Sequence, residues 1–137
     1  MALKAKNKRR GGMAVELLFV FPILLAVLLG TVEFSLWLSA QQQVALASRE
    51  GARTAATGGG KDAVNLSVRR ALGDTRFNAA EVVVNLADDN GDPVAPGDPV
   101  AVQVRLPAGA VVPDLLRFIG LSIQNEVLVG QTVMRKE

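Results

Sequence analysis

The chain has 137 residues, half of them hydrophobic, and contains neither cysteine nor histidine. Zinc sites of the usual kind, thiol nucleophiles, disulfides and histidine acid–base catalysis are therefore excluded. The net charge of +2 arises at the N-terminus, because removing everything up to Gly12 leaves 10 basic against 13 acidic residues, and the basic composition gives little support to nucleic-acid binding.

The first 40 residues predict a membrane helix. Five cations precede the first acidic residue, and residues 17–32 carry no charge. Because a hydrocarbon core of ~30 Å needs ~20 helical residues, we extend the predicted span to residues 17–38, with Trp37 near the interface. Cations before a span keep that end of the chain in the cytoplasm, so the residues after 40 are expected on the other side.

Three interpretations of this segment remain open. It could be a plain single-pass anchor, or a signal peptide cut near Ala40 that releases a secreted protein. The third gives Glu16 a specific role within the membrane. A carboxylate costs roughly 2.5–3.5 kcal/mol at the middle of a membrane helix, and a plain anchor would not need one. A second carboxylate, Glu33, is expected either at the outer membrane interface or in contact with another subunit.

The helix is predicted to continue beyond the membrane. Nothing in residues 41–57 stops a helix strongly, whereas Gly58–Gly60 does. A continuous helix from Met13 to Thr57 would be ~67 Å long. Its second half carries one face of small side chains that can pack closely, and Pro22 predicts a kink or local melting in the first half.

Residues 61–137 predict a small domain, so the chain as a whole is α+β. The predicted elements are a short helix from an Asp62 cap to Leu72, strands at 79–87, 99–106 and 121–134, and a short helix at 114–119. The turn-rich segment between the first two strands predicts a hairpin, and one sheet face should cover the small-residue face of the long helix. The third strand shows one apolar face, interrupted by Asn125 and Gln131, whose members are Leu121, Ile123, Val127, Val129 and Val133.

Candidate reactive groups are few. Asp88, Asp89, Asn90 and Asp92 superficially resemble a calcium loop but lack its sixth-position glycine and twelfth-position glutamate, so a hairpin turn is preferred. Gly58–Gly60 lacks the Lys-Ser/Thr pair of a phosphate-binding loop. No base is placed to activate a nucleophile. We therefore expect no catalytic residue, no metal and no cofactor, and an enzyme is not predicted.

The N-terminal pattern resembles a known family. A short basic leader, Gly11–Gly12, Glu16 and an apolar helix are similar to a prepilin. More narrowly, the segment resembles the TadE-like proteins of the tight-adherence (Tad, or Flp) pilus system. The shared stretches are Glu16–Pro22, "GTVEF" at Gly30–Phe34, "REGAR" at Arg49–Arg53, and the closing "TVMRKE".

This resemblance implies a pilin-like fold and a function without catalysis: a minor pilin or pseudopilin acting in assembly of a Tad/Flp type IV pilus, in adhesion or related secretion. It implies a protein of the bacterial inner membrane, cut after Gly11 or Gly12 by the prepilin peptidase, with other pilin subunits and the pilus assembly machinery as partners. Leu17 stands where major pilins of this group carry an aromatic residue, which favours a minor component. The new α-amino group would pair with Glu16, in the same chain or in a neighbour.

The predicted organisation is a basic cytoplasmic leader (1–12), the transmembrane half of the long helix (13–40), its extracytoplasmic half (41–57) and the small domain (61–137). A second class of function stays open: a single-pass, membrane-tethered extracytoplasmic binding domain. It differs from the first in needing its helix only as an anchor.

Overall fold

The computed structural model describes residues 10–73, 75–86 and 94–137, which form a long helix, a short helix and a three-stranded sheet. The bounds are α1 (Arg10–Ala56), α2 (Lys61–Leu72), β1 (Glu81–Asn85), β2 (Pro99–Pro107) and β3 (Val127–Arg135), with single 3-10 turns at Thr75–Phe77, Ala108–Ala110 and Arg117–Ile119. The predicted α+β class is confirmed.

Helix α1 is longer at its start than predicted and is continuous. Its 47 residues correspond to about 70 Å, and helical structure passes through Pro22 without the local melting that the sequence allowed. The glycine run ends it as predicted. Gly58, at φ 86°, donates its N–H to the Ala55 carbonyl at 3.1 Å, and Gly59 donates to Thr54 at 2.9 Å, so the last carbonyls of the helix are satisfied.

Helix α2 lies between two glycines. Its N-cap is Gly60, without a side-chain capping bond, so the expected Asp62 cap is wrong and Asp62 lies instead in the first turn, where a carboxylate favours the helix dipole. Gly73 closes the helix in the left-handed region (φ 63°), and its N–H donates to the Arg69 carbonyl. The predicted stop at this glycine is confirmed.

The sheet is antiparallel with β2 at its centre. Alternate residues of β2 point into the core: Val100, Val102, Val104 and Leu106 are all fully buried, as their period of two predicts. Residues 87–93 of the connection between β1 and β2, which include the candidate calcium residues Asp88, Asp89, Asn90 and Asp92, lie outside the described residues.

Strand β3 is shorter than predicted, and the structure decides which of its faces is buried. Residues 121–126 precede it as loop, and Val127, Val129 and Val133 face solvent while Leu128 and Gly130 are buried. The inward face is selected by close approach to α1, since a Cβ at position 130 would lie 2.6 Å from the Val44 carbonyl oxygen.

The loop before β3 also differs from its prediction. The helix expected at 114–119 is a single turn, Arg117–Ile119. Gly120, at φ 83°, ends that turn in the left-handed region that glycine adopts without strain. Only the C-terminal half of the predicted helix is therefore helical, and Leu115 and Leu116 before it contact α1 through their N–H groups, which donate to Glu33.

The core lies between the second half of α1, helix α2 and the inner face of the sheet. At Gly51 the three meet: a Cβ there would lie 2.6 Å from Val68 Cγ2 and 3.0 Å from Val102 Cγ1. The predicted close packing of the small-residue face is confirmed. Two glutamines add polar attachments, Gln41 Nε2 donating to the Val129 carbonyl at 3.0 Å and Gln43 Nε2 to the Ala71 carbonyl at 2.7 Å.

Candidate functional site

The first half of α1 extends beyond the domain, and its apolar side chains are not covered by the rest of the described chain. We call it the bare half. Residues 14–25 are exposed on every side. Within the part of the chain that the structure describes, α1 is the one helix long and apolar enough to cross a membrane, and none of its most apolar 18-residue window is buried. So large an apolar surface needs lipid or other helices around it, which fits a single-pass membrane protein.

Glu16 lies on this bare half, and its side chain is exposed. The backbone of α1 is already helical at Gly12, so Gly12 and Glu16 are separated by about one turn, or ~6 Å of rise. Residues spaced by three or four positions are neighbours on a helix surface. An amino group created at Gly12 or Met13 would therefore lie within one turn of the carboxylate. Cleavage and pairing themselves stay predictions.

Glu33 is placed quite differently. It is only 4% exposed, and its Oε2 accepts two backbone hydrogen bonds, from the N–H groups of Leu115 and Leu116, each at 3.0 Å. Hydrogen bonds to an ionised carboxylate are among the stronger ones in proteins. The sequence offered an interfacial position or a contact with another subunit, and the structure adds an intrachain partner that neither alternative included. The intersubunit contact stays a prediction.

Sequence reasoning missed this partner because nothing local marks it. Glu33 and the Leu115 amide are 82 positions apart. The available signal was a short segment between Pro113 and Gly120, whose backbone N–H groups need partners if they are buried, but such a signal names no acceptor. Only the folded chain brings the two together.

A groove opens beside Glu33, between α1 and the loop that precedes β3. It has a volume of about 450 Å³ and is lined by Gly30, Phe34 and Trp37 from the helix and by Leu116 and Leu121 from the loop. The Phe34 and Trp37 rings stack with centroids 6.1 Å apart. The groove is apolar apart from three polar residues, Glu33, Ser122 and Glu126. One oxygen of Glu33 already accepts the two hydrogen bonds from the loop.

These surfaces consist mainly of apolar side chains, which suit contacts with lipid or with other helices. Among residues 10–73, 75–86 and 94–137, no three His, Cys, Asp or Glu side chains are grouped so that they could hold a metal ion. The two glutamates stand 17 positions apart on α1, on different faces. Helix α1 therefore presents an apolar surface with one exposed carboxylate, Glu16, and one carboxylate, Glu33, that accepts hydrogen bonds from the loop.

The comparison with protein families bears on this same helix. The family model described as TadE-like protein matches residues 11–53. Residues 11–53 therefore resemble TadE-like proteins, and we call them the TadE-like segment. No curated protein and no solved structure matches the chain. The resemblance stated from the sequence is confirmed over this segment.

The TadE-like segment includes both halves of α1. It begins at Gly11, takes in Glu16 and Glu33, and ends at Arg53, three residues before the helix does. The sheet and α2 lie outside the match, as does the closing "TVMRKE" that also suggested the family. The identified part is therefore the helix that crosses from the bare apolar half into the core of the domain.

Proposed function

We propose that this chain is a minor pilin or pseudopilin that acts in assembly of the Tad/Flp type IV pilus and so contributes to adhesion or related secretion. The observation that supports this best is the match of the TadE-like segment to a helix that is bare in its first half and packed into a small domain in its second. Such a subunit can sit in a membrane and later pack its bare half against other subunits.

The bare half of α1 suits both surroundings. Lipid chains and neighbouring apolar helices solvate aliphatic side chains about equally well, so transfer from membrane to fibre does not require the subunit to refold. The domain beyond Ala40 keeps its own core in either setting. The membrane is the inner membrane, with the N-terminus in the cytoplasm and residues 61–137 on the outer side, as the cationic leader favours.

Glu16 would set the axial position of each subunit relative to its neighbours in this assembly. Removal of the leader after Gly11 or Gly12 by the prepilin peptidase creates an amine one turn before the carboxylate. A buried carboxylate is tolerated when it is paired, and pairing with the amine of its own chain or of a neighbouring subunit would fix the axial register between helices. The other pilin subunits and the assembly machinery are the partners in this proposal.

The mature N-terminus tests the proposal directly. We expect the intact mass of the membrane-extracted protein to correspond to a chain beginning at Gly12 or Met13. An uncut chain would mean a permanent anchor, and a chain beginning near Gln41 would mean a secreted protein. Either result would contradict the pilin proposal.

Glu16→Ala is the matching functional variant. We expect it to abolish pilus assembly while the domain keeps its fold, because Glu16 is exposed and far along α1 from the core. Glu50→Ala is a suitable control, since Glu50 is also an exposed glutamate of α1 but lies beyond the bare half. Assembly at the wild-type level with Glu16→Ala would exclude the pairing role.

One observation favours a second candidate, a membrane-tethered binding domain. The outer face of the sheet exposes Val83, Val129 and Val133, and exposed apolar side chains on one face can mark a contact surface. An exchange of residues 17–32 for an unrelated apolar span of equal length separates the candidates. A tethered domain keeps its function after this exchange, whereas a pilin loses assembly.

A further inference from the structure

The loop before β3 reaches along α1 beyond the rest of the domain. The buried apolar residues of α1 begin at Ala40, and Leu36 and Trp37 before it are partly buried against the core. Leu116 of the loop extends further, to Gly30, where a Cβ would lie 3.3 Å from Leu116 Cδ1. Ten helical residues separate Gly30 from Ala40, which is about 15 Å along the axis. The loop is therefore the part of the domain nearest to the bare half of α1.

The position of the membrane along α1 follows from its length. A hydrocarbon core of ~30 Å takes up ~20 helical residues, and α1 has a cation at its first residue, Arg10. A core that begins at Met13 would end at Val32, and one that begins at Leu17 would end at Leu36. In both placements Gly30 lies at the depth of the acyl chains, so the loop beside it reaches the outer leaflet.

The tip of this loop is apolar and outward-facing. Phe118, Ile119 and Leu121 are 63%, 49% and 59% exposed, and Arg117 beside them is exposed as well. A hydrogen bond of 2.7 Å from Ser122 Oγ to Asp114 Oδ2 closes the base of the loop, so these side chains stand together at its end. Aromatic and aliphatic tips flanked by a cation are typical of interfacial membrane contacts.

Glu33 makes such a position tolerable for the backbone. At the edge of the hydrocarbon there is little water to pair with free N–H groups, and non-helical backbone is stable at that depth only when protein groups satisfy it. The N–H groups of Ile119 and Gly120 donate to carbonyls within the turn. The two bonds from Leu115 and Leu116 to Glu33 Oε2 satisfy two further N–H groups of the loop. They also hold the loop against α1.

We propose that residues 114–122 form a membrane-insertion loop: Phe118, Ile119 and Leu121 lie in the outer leaflet of the bilayer that α1 crosses, and Glu33 fastens the loop backbone to the helix. The lipid surface, and not another protein, is the occupant of this apolar tip, because the loop and the span are continuous on the same side of the molecule. The inference depends on α1 crossing a membrane and is independent of the role in pilus assembly.

Quenching of tryptophan by brominated lipid tests the proposal. In a Trp37→Phe background, which removes the sole native tryptophan, single tryptophans are introduced as Phe118→Trp in the loop, Leu24→Trp in the bare half of α1 and Leu66→Trp on the exposed side of α2. The purified full chain is placed in vesicles with or without dibromo-phosphatidylcholine. We expect strong loss of emission for Leu24→Trp and Phe118→Trp, several-fold greater than for Leu66→Trp.

Two results would overturn the inference in distinguishable ways. If Leu24→Trp is quenched and Phe118→Trp behaves like Leu66→Trp, the span stands and the loop is not in lipid. If Leu24→Trp is not quenched either, α1 does not cross the bilayer, and the proposed position of residues 114–122 in lipid is contradicted as well. Neither result depends on whether pili assemble.

The fastening role of Glu33 has its own comparison. Added to the Phe118→Trp chain, Glu33→Gln keeps an oxygen that can accept both N–H bonds, whereas Glu33→Ala removes it. We expect quenching at position 118 to persist with glutamine and to fall with alanine, while Glu50→Ala changes nothing. Unchanged quenching with Glu33→Ala would exclude Glu33 as the residue that holds the loop.

Discussion

Two glycines on facing elements set how closely the sheet and α2 approach the long helix. Gly51 of α1 faces Val68 and Val102, and Gly130 of β3 faces the backbone of Val44. The contact at Gly130 is the stricter one, because a valine side chain can shift slightly but a helix backbone cannot. At this position the absence of a side chain is a packing requirement, and its φ is not in the left-handed region.

Gly130→Ala should therefore destabilise the domain. Overpacking a well-filled core costs about 1–3 kcal/mol, and the added methyl group would meet a carbonyl oxygen that has no room to move. We expect a loss of this size in the free energy of unfolding, measured by denaturant titration of the detergent-solubilised full chain. Gln131→Ala, at an exposed neighbour on the same strand, should change stability by less than about 0.5 kcal/mol.

The two glutamates of the TadE-like segment show the same residue type in two surroundings. Glu16 is exposed on the bare half, and its proposed partner arises only when the leader is removed. Glu33 is buried and already accepts two backbone bonds within the chain. A single rule for carboxylates in apolar helices would have treated them alike, whereas the fold leaves one exposed and pairs the other with backbone N–H groups.

At the scale of elements, β3 shows which part of a strand pattern is ambiguous. Its sequence places valines on one face, and that face is the one turned to solvent. The other face, with Leu128 and Gly130, packs on α1. The strand has apolar residues on both faces, so periodicity established the element and could not select the buried side.

This orientation predicts unequal effects of two neighbouring truncations. Leu128→Ala removes a fully buried side chain and should lower the free energy of unfolding by about 2–5 kcal/mol. Val129→Ala, on the exposed face, should cost less than about 1 kcal/mol. Equal losses for both variants in the same thermal or denaturant unfolding measurement would contradict the inward assignment of Leu128.

At the scale of the whole molecule, the domain is attached to α1 at both of its ends. Near the membrane, Glu33 accepts the two loop amides. At the far end, the Glu137 N–H donates to the Ala56 carbonyl at 2.9 Å. Between these points lies the small-residue face. The domain is therefore fixed along more than half of α1 and leaves residues 14–25 free for lipid or for other subunits.

The proposed topology can be read with one introduced thiol, because the chain has no cysteine. Leu66→Cys lies on the exposed side of α2, where a thiol is accessible and outside the core. We expect labelling by a membrane-impermeant maleimide in intact spheroplasts, since the proposed topology has only the N-terminus in the cytoplasm. Labelling that appears only after lysis would place the domain on the cytoplasmic side, and the cysteine-free wild type reports the background.

The sequence by itself determined the elements that depend on neighbouring residues along the chain. The apolar run from Leu17, the glycine stop after Thr57, the helix stop at Gly73 and the alternation of β2 are all local signals. The tertiary structure alone decided the inward face of β3, the Gly60 cap and the partner of Glu33. Those depend on contacts between residues far apart in the chain, where close packing and the need to pair backbone N–H groups choose among arrangements that the local pattern leaves equal.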